Sequence, residues 1–288
     1  MEEIKTISIK DKNYPKLLKE IRQAPKVLYY KGKIKSDENC FAVVGTRMCS
    51  AYGKQVALEI AGDLADAGLT IVSGLAPGID TFSHQAVVER KKRTIAVLGT
   101  GLDEKSIYPQ SNIKLAKKII ETGGALISEY PPGTRGTNFT FPQRNRIISG
   151  LSLGVLVIEA KQKSGALITA NWAEIQKRKI FAIPGPIHSL NSKGCHYLIK
   201  KGAKLVENAN DILKELNLPL TMMPGLVKGD TKEESLILEA LKEEALYIEK
   251  IIEKTKLSAA VVASTLANLE IKNKVRNLGT NIYAISNR

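Results

Sequence analysis

The chain reads as an α/β protein, with an extended Rossmann-like, largely parallel sheet followed by a small C-terminal winged-helix-like domain. Three observations predict this. Short apolar runs alternate with helix-period segments from residue 41 to residue 216, glycines cluster where those runs end, and the pattern breaks at a proline- and glycine-containing stretch near 218–229. Strands buried on both faces read as unbroken apolar runs, and right-handed crossovers bring their carboxyl ends to one rim.

The elements follow in order. FAVVG at 41–45 reads as a buried strand ending in Gly45, and Val56, Ile60, Leu64 and Ala67 give 52–67 a helical apolar face. LTIVSG at 69–74 is the next strand, 79–90 a helix, RTIAVLG at 93–99 a strand and 111–122 a helix. ALIS at 125–128, LGVLVIEA at 153–160 and KIFAIPG at 179–185 continue the strands, with a helix at 166–177 between the last two. A Gly-Ala turn at 202–203 and a helix from near Asn208 complete a central domain placed at 36–218. Residues 1–35 form a lysine-rich segment that packs on this core through Tyr14, Pro15, Leu17, Leu18 and Ile21, with Val27 to Tyr30 extended. Residues 219–229 read as a linker. Beyond it, helices around 236–241, 247–255 and 258–269 and a hairpin at 274–286 turning at Gly279 predict a winged-helix-like domain over 230–288.

The net charge of +14, from 43 Lys/Arg against 29 Asp/Glu, favours an acidic partner. Residues 225–288 hold ten basic and nine acidic side chains, so the excess lies in the first two segments and a polyanion site belongs in the central domain. The helix at 258–269 carries little positive charge, which argues against duplex reading by the C-terminal domain. Cys40, Cys49 and Cys195 make no disulfide framework. The start MEEIKTISIK has no signal-peptide core and no apolar stretch spans a bilayer, so a cytoplasmic location is expected. His84, His188 and His196 form no metal set, HExxH is absent, and no cofactor is expected. Ser73 and Ser164 have no histidine base nearby in sequence, so binding is expected rather than bond-breaking.

Candidate binding residues fall at the strand ends. GTR at 45–47 places Gly45 in a close turn and Arg47 on the rim, followed by Ser50 and Tyr52. SGLAPGID at 73–80 offers Gly74 and Gly78 for sharp backbone paths, with Asp80 as a cap or a loop brace. It lacks the Lys-Ser/Thr of a phosphate-loop NTPase, and the region lacks the GxGxxG dinucleotide fingerprint. Gly99 and Gly101 allow close backbone approach, and Asp103 reads as a turn residue. The richest stretch is TNFTFPQRNRIISG, where an aromatic, proline-containing loop with Asn138, Phe139 and Phe141 precedes Arg144, Asn145 and Arg146. Either phenylalanine could stack on an exposed base or lock the loop into the core. Helical spacing points the two arginines in different directions, so one could contact phosphate while the other bridges a carboxylate such as Glu129 or Glu159. Lys163, Ser164 and Gly165 supply an ammonium and helix N-terminal donors.

Taken together, GTR, SGLAPGID, GTGLD at 99–103, SEYPPG at 128–133, FPQRNRIISG at 141–150, KSGALITA at 163–170 and SKGCHYLIKKGA at 192–203 resemble the DNA-processing protein A family, also called Smf-like proteins. The resemblance covers nearly the whole central domain. It implies an extended Rossmann-like domain that binds single-stranded DNA without cleaving it, protects incoming DNA in natural transformation, loads RecA recombinase and forms homodimers. It carries the DNA-binding role onto Arg47, Arg144, Arg146 and Lys163, with Phe139 and Phe141 as base contacts. The alternative is an enzyme acting on a nucleotide or sugar phosphate, with Glu129 or Glu159 as its acid or base.

Overall fold

The computed structural model describes residues 3–220, 229–242, 244–272 and 274–285. The chain divides into two compact units, Met1–Thr221 and Met222–Arg288. Most of the expected linker, residues 221–228, lies outside the described residues.

The first unit is a nine-stranded sheet. Its strands in chain order are β1 (Lys5–Ser8), β2 (Val27–Gly32), β3 (Cys40–Val44), β4 (Thr70–Ser73), β5 (Thr94–Leu98), β6 (Ala125–Ser128), β7 (Gly154–Val157), β8 (Lys179–Ala182) and β9 (Lys204–Leu205). Spatially they run β1-β2-β6-β5-β4-β3-β7-β8-β9. Every pair from β6 to β9 is parallel. The helices are α1 (Lys16–Lys19), α2 (Ala51–Asp66), α3 (Ile79–Glu89), α4 (Ile113–Glu121), α5 (Thr140–Gly150), α6 (Gly165–Ile175), α7 (Lys193–Lys200) and α8 (Ala209–Glu215). β3 through β7 are buried at every position, which is why they read as unbroken apolar runs.

Several elements go beyond the reading of the sequence, among them α7 and β9. The extended Val27–Tyr30 is β2, and the first 35 residues contribute a further strand, β1, beside the helix. β2 pairs antiparallel with β6, from Tyr29 opposite Ser128 to Gly32 opposite Ala125, and β1 pairs antiparallel with β2. Tyr14, Leu18 and Leu28 anchor the segment, each at most 2% exposed. Phe141 and Pro142, read as loop, lie in the first turn of α5. A first-turn position has no intrahelical partner for its N–H, so proline costs nothing there.

The topology creates a crevice. From β3 the chain proceeds through β4 and β5 to β6 on one side, and from β7 through β8 to β9 on the other. The segments that follow β3 and β7 therefore diverge at a switch point between neighbouring parallel strands, where open α/β sheets bind ligands.

Among the described residues, the second unit has three helices, α9 (Lys232–Ala240), α10 (Ile248–Thr255) and α11 (Ala259–Ile271). A three-stranded sheet, β10 (Leu246–Tyr247), β11 (Val275–Asn277) and β12 (Ile282–Ile285), is ordered β10-β12-β11. Ile237, Leu238, Ile251, Val262, Leu266 and Leu269 fill its core. α11 exposes Ala260, Ala263, Ser264, Ala267 and Asn268, with the acidic Glu270 and no Lys or Arg along its length to offer a phosphate.

Candidate nucleic-acid interface

A cleft of about 620 Å³ opens at the switch point. Its walls come from the loop after β3, the loop after β7, the start of α6 and the start of α5. It gathers Gly45, Arg47, Asn138, Phe141, Arg144, Asn145, Lys163, Ser164 and Gly165 from three separate segments of the chain. Lys161 and Tyr108 also line it, and the sequence reading had not singled out either as a contact. The signal for Lys161 was its place two residues before Lys163 in a strand-end loop. Tyr108 packs 5.5 Å from the Phe141 ring.

The cationic mouth is exposed. Arg47 and Lys163 are exposed, and the Arg47 guanidinium lies 5.4 Å from the centroid of the half-buried Phe141 ring. Such a cation–π contact holds a flexible arginine over an aromatic wall without a carboxylate neutralising it. In the same cleft lining, Ser164 caps the eleven-residue α6 by accepting from the Ala166 N–H at 3.3 Å, and Gly165 starts the helix. The positive end of the helix dipole faces the same space. Phe139, just outside the lining residues, is 84% exposed beside exposed Asn138.

The two arginines of FPQRNR have inward-facing roles. Arg144 is 5% exposed. Its Nη1 donates to the carbonyl of Gly74 at 2.7 Å and to that of Val97, and its Nε donates to Asn145 Oδ1 at 3.1 Å. Burial pulls its guanidinium down to about 10, an effect opposed by the charge of Asp80. Arg146 forms a two-pronged pair with Glu129, at 2.9 Å and 2.7 Å, in which both side chains are largely buried. The bridge to a carboxylate, open in the sequence between Glu129 and Glu159, goes from Arg146 to Glu129. Arg144 forms the cleft floor; Arg146 lies outside the lining.

Asp80 completes the floor. Its Oδ2 accepts from the backbone N–H of Gly74 at 3.0 Å and of Ala76 at 3.4 Å. Burial raises its pKa; Arg144 and the hydrogen-bond donors oppose that rise. The glycines serve this packing. A Cβ on Gly74 would sit 2.6 Å from the Arg144 guanidinium, and Gly78, at φ 78°, brings its Cα within reach of the Thr46 carbonyl so that the Ile79 N–H donates to it at 3.2 Å. Gly45 sits against Ile79, Gly99 against Phe141 and Gly101 against Asp103. Among the described residues no cluster of His, Cys, Asp and Glu could hold a metal ion, and no helix is long and apolar enough to cross a membrane.

Comparisons with known proteins agree with this geometry. The profile of the family described as DNA recombination-mediator protein A matches residues 5–217, and that of the DprA winged helix domain matches 224–279. The chain is 47% identical over 213 residues to DNA processing protein DprA of Streptococcus pneumoniae, covering 73% of each. It is 38% identical over 268 residues to Protein Smf of Escherichia coli, covering 90% of this chain and 71% of that one. The solved structure of the Streptococcus pneumoniae protein superposes with a TM-score of 0.68 at 45% identity, covering 74% of this chain and 75% of that one. A Helicobacter pylori DNA processing protein A, solved to explain its single-stranded DNA binding mode, superposes with a TM-score of 0.66 at 30% identity, covering 75% and 96%. With residues 5–217 matched by the family profile and 47% identity over 213 residues to one relative, the chain belongs to the DNA recombination-mediator protein A family.

Proposed function

We propose that this protein binds single-stranded DNA in the cleft between β3 and β7 and acts as a non-catalytic recombination mediator. It protects incoming DNA in natural transformation and helps load RecA recombinase onto it, working in the cytoplasm as a homodimer. The observation that carries the DNA-binding reading is that one cleft is lined by Arg47, held over Phe141, together with Lys161, Lys163 and the start of α6. Cations that have no carboxylate partner among the described residues attract the backbone and release its counterions, and aromatic faces accept any base. Family membership and the subject of the Helicobacter pylori structure support the same reading.

Within the cleft, phosphates are assigned to Arg47, Lys161, Lys163 and the N–H groups at Gly165, and bases to Phe139 and Asn138. Arg144, Asn145 and Asp80 shape the floor, and Arg146 braces α5 from behind. Binding titrations with single-stranded DNA, duplex DNA and free nucleotides at matched salt test the proposal. The single strand should bind tightest, R47A and K163A should weaken it, and no nucleotide should turn over. Equal affinity for all three, or rapid turnover, contradicts it.

A further inference from the structure

Glu159 is a carboxylate beside a cleft that takes a polyanion. It is 4% exposed, at the end of the β7 run. Electrostatics alone makes it a liability there, since it lowers the positive potential that attracts phosphates. Its contacts give it another use. Its Oε1 accepts from Ser50 Oγ at 2.6 Å and its Oε2 from the Ser50 N–H at 2.9 Å. Its backbone carbonyl accepts from the Thr46 N–H at 2.7 Å. Asn191 Nδ2 donates to the Met48 carbonyl at 3.1 Å and reaches Glu159 Oε2 at 3.4 Å.

One residue thus grips the segment 46–50 at both ends and, through Asn191, in the middle. Arg47 lies inside that span. The carboxylate also sits against the first turn of the sixteen-residue α2, where Ser50 is the N-cap and accepts from the Gly53 N–H at 3.1 Å. Gly53 makes room for it, because a Cβ there would stand 2.3 Å from Glu159 Oε2. A negative group at a helix N-terminus is stabilised by the dipole and by the unpaired N–H groups. The side chain is held by uncharged groups, the Ser50 N–H and Asn191 Nδ2 on Oε2 and the Ser50 hydroxyl on Oε1.

We infer that Glu159 is the positioning residue of the DNA site: it fixes the turn that carries Arg47, and its charge is tolerated for that purpose. The inference rests on the reading of the cleft as a single-stranded DNA site.

Charge and position predict opposite signs for E159Q. Removing a negative charge near the cleft strengthens polyanion binding if Glu159 acts only through the field. The amide of glutamine keeps one oxygen for the Ser50 N–H and Asn191 but turns an NH2 toward the Ser50 hydroxyl, which already accepts from the Gly53 N–H, so two charge-assisted bonds become weaker neutral ones, the turn loosens and binding weakens. The experiment measures single-stranded DNA affinity across a salt series for wild type, E159Q, R47A and the double variant, with thermal unfolding to establish that each is folded. The expected result is a loss of about tenfold for E159Q and a salt slope reduced by ~0.7, the value for one lost phosphate contact on a single strand. The double variant should bind no more weakly than R47A, as expected when one residue acts through the other. Tighter or unchanged binding by E159Q, with R47A weakened, overturns the inference. So does full additivity of the two losses. If R47A itself has no effect, the reading of the cleft fails first and the inference falls with it. Should E159Q not fold, N191A carries the same test, with a weakening of about threefold (~0.65 kcal/mol) expected and no change overturning the inference.

Discussion

Arg144 lies across the carbonyl of Gly74 at a hydrogen-bond length of 2.7 Å, and the missing Cβ of Gly74 is the space its guanidinium fills. This pairing ties the end of β4 to α5, elements seventy residues apart in the chain. It turns an arginine that looks like a phosphate ligand in the sequence into the floor on which the exposed cations stand.

G74A therefore perturbs DNA binding through the floor. The new methyl meets the guanidinium at 2.6 Å, and overpacking of this kind costs ~1–3 kcal/mol. A drop in unfolding free energy of that size, with weaker DNA binding in the variant that remains folded, is the expected outcome of parallel denaturation and titration experiments.

Arg146 and Glu129 should behave as a structural pair. Removing one partner of a buried fork leaves the other uncompensated, at a cost of ~3–5 kcal/mol. E129A should show this loss in urea unfolding. The salt slope of DNA binding should stay unchanged at temperatures where the variant is folded, because Arg146 is paired with Glu129 and does not line the cleft.

Phe139 offers the opposite test. It is 84% exposed, so F139A should leave stability within ~0.5 kcal/mol of wild type. If a base stacks on the ring, single-stranded DNA binding should weaken by ~1–3 kcal/mol. A titration showing no loss would move base stacking to Phe141 and Tyr108, which pack together 5.5 Å apart.

His84 sets an acid-side signature. Burial, helped by the charge of Arg144, lowers its pKa from 6.5 to about 3, and its Nδ1 is 2.8 Å from Thr94 Oγ1. In the unfolded chain it takes up a proton below its ordinary pKa, while the folded protein stays neutral there. Its contribution is complete above about pH 6.5 and declines as pH falls toward about 3, at up to ~1.4 kcal/mol per pH unit. Unfolding free energy measured from pH 7 to pH 4 should fall more steeply for wild type than for H84Q.

Much of this was legible in the sequence because the central strands are buried on both faces. FAVVG, TIAVL and ALIS announce themselves by composition, and the loops that follow must share a rim. β1 was not legible: Lys5 and Thr6 are exposed on an edge strand, so no apolar run marks it. The burial of Arg144 was hidden too, since its acceptors are carbonyls of Gly74 and Val97, and every residue has a carbonyl. Glu159 read as a possible acid, base or arginine partner, because its true partner, Ser50, lies 109 residues earlier.

The most direct measurement is the salt dependence of single-stranded DNA binding, from about 50 mM to about 200 mM, for wild type, R47A, K163A and the double variant. Each single substitution should lower the slope of log affinity against log salt by ~0.7 and the double by ~1.4, with unfolding curves unchanged. Wild-type slopes in both variants, with weaker binding traced to lost stability, would contradict the assignment of this cleft to DNA.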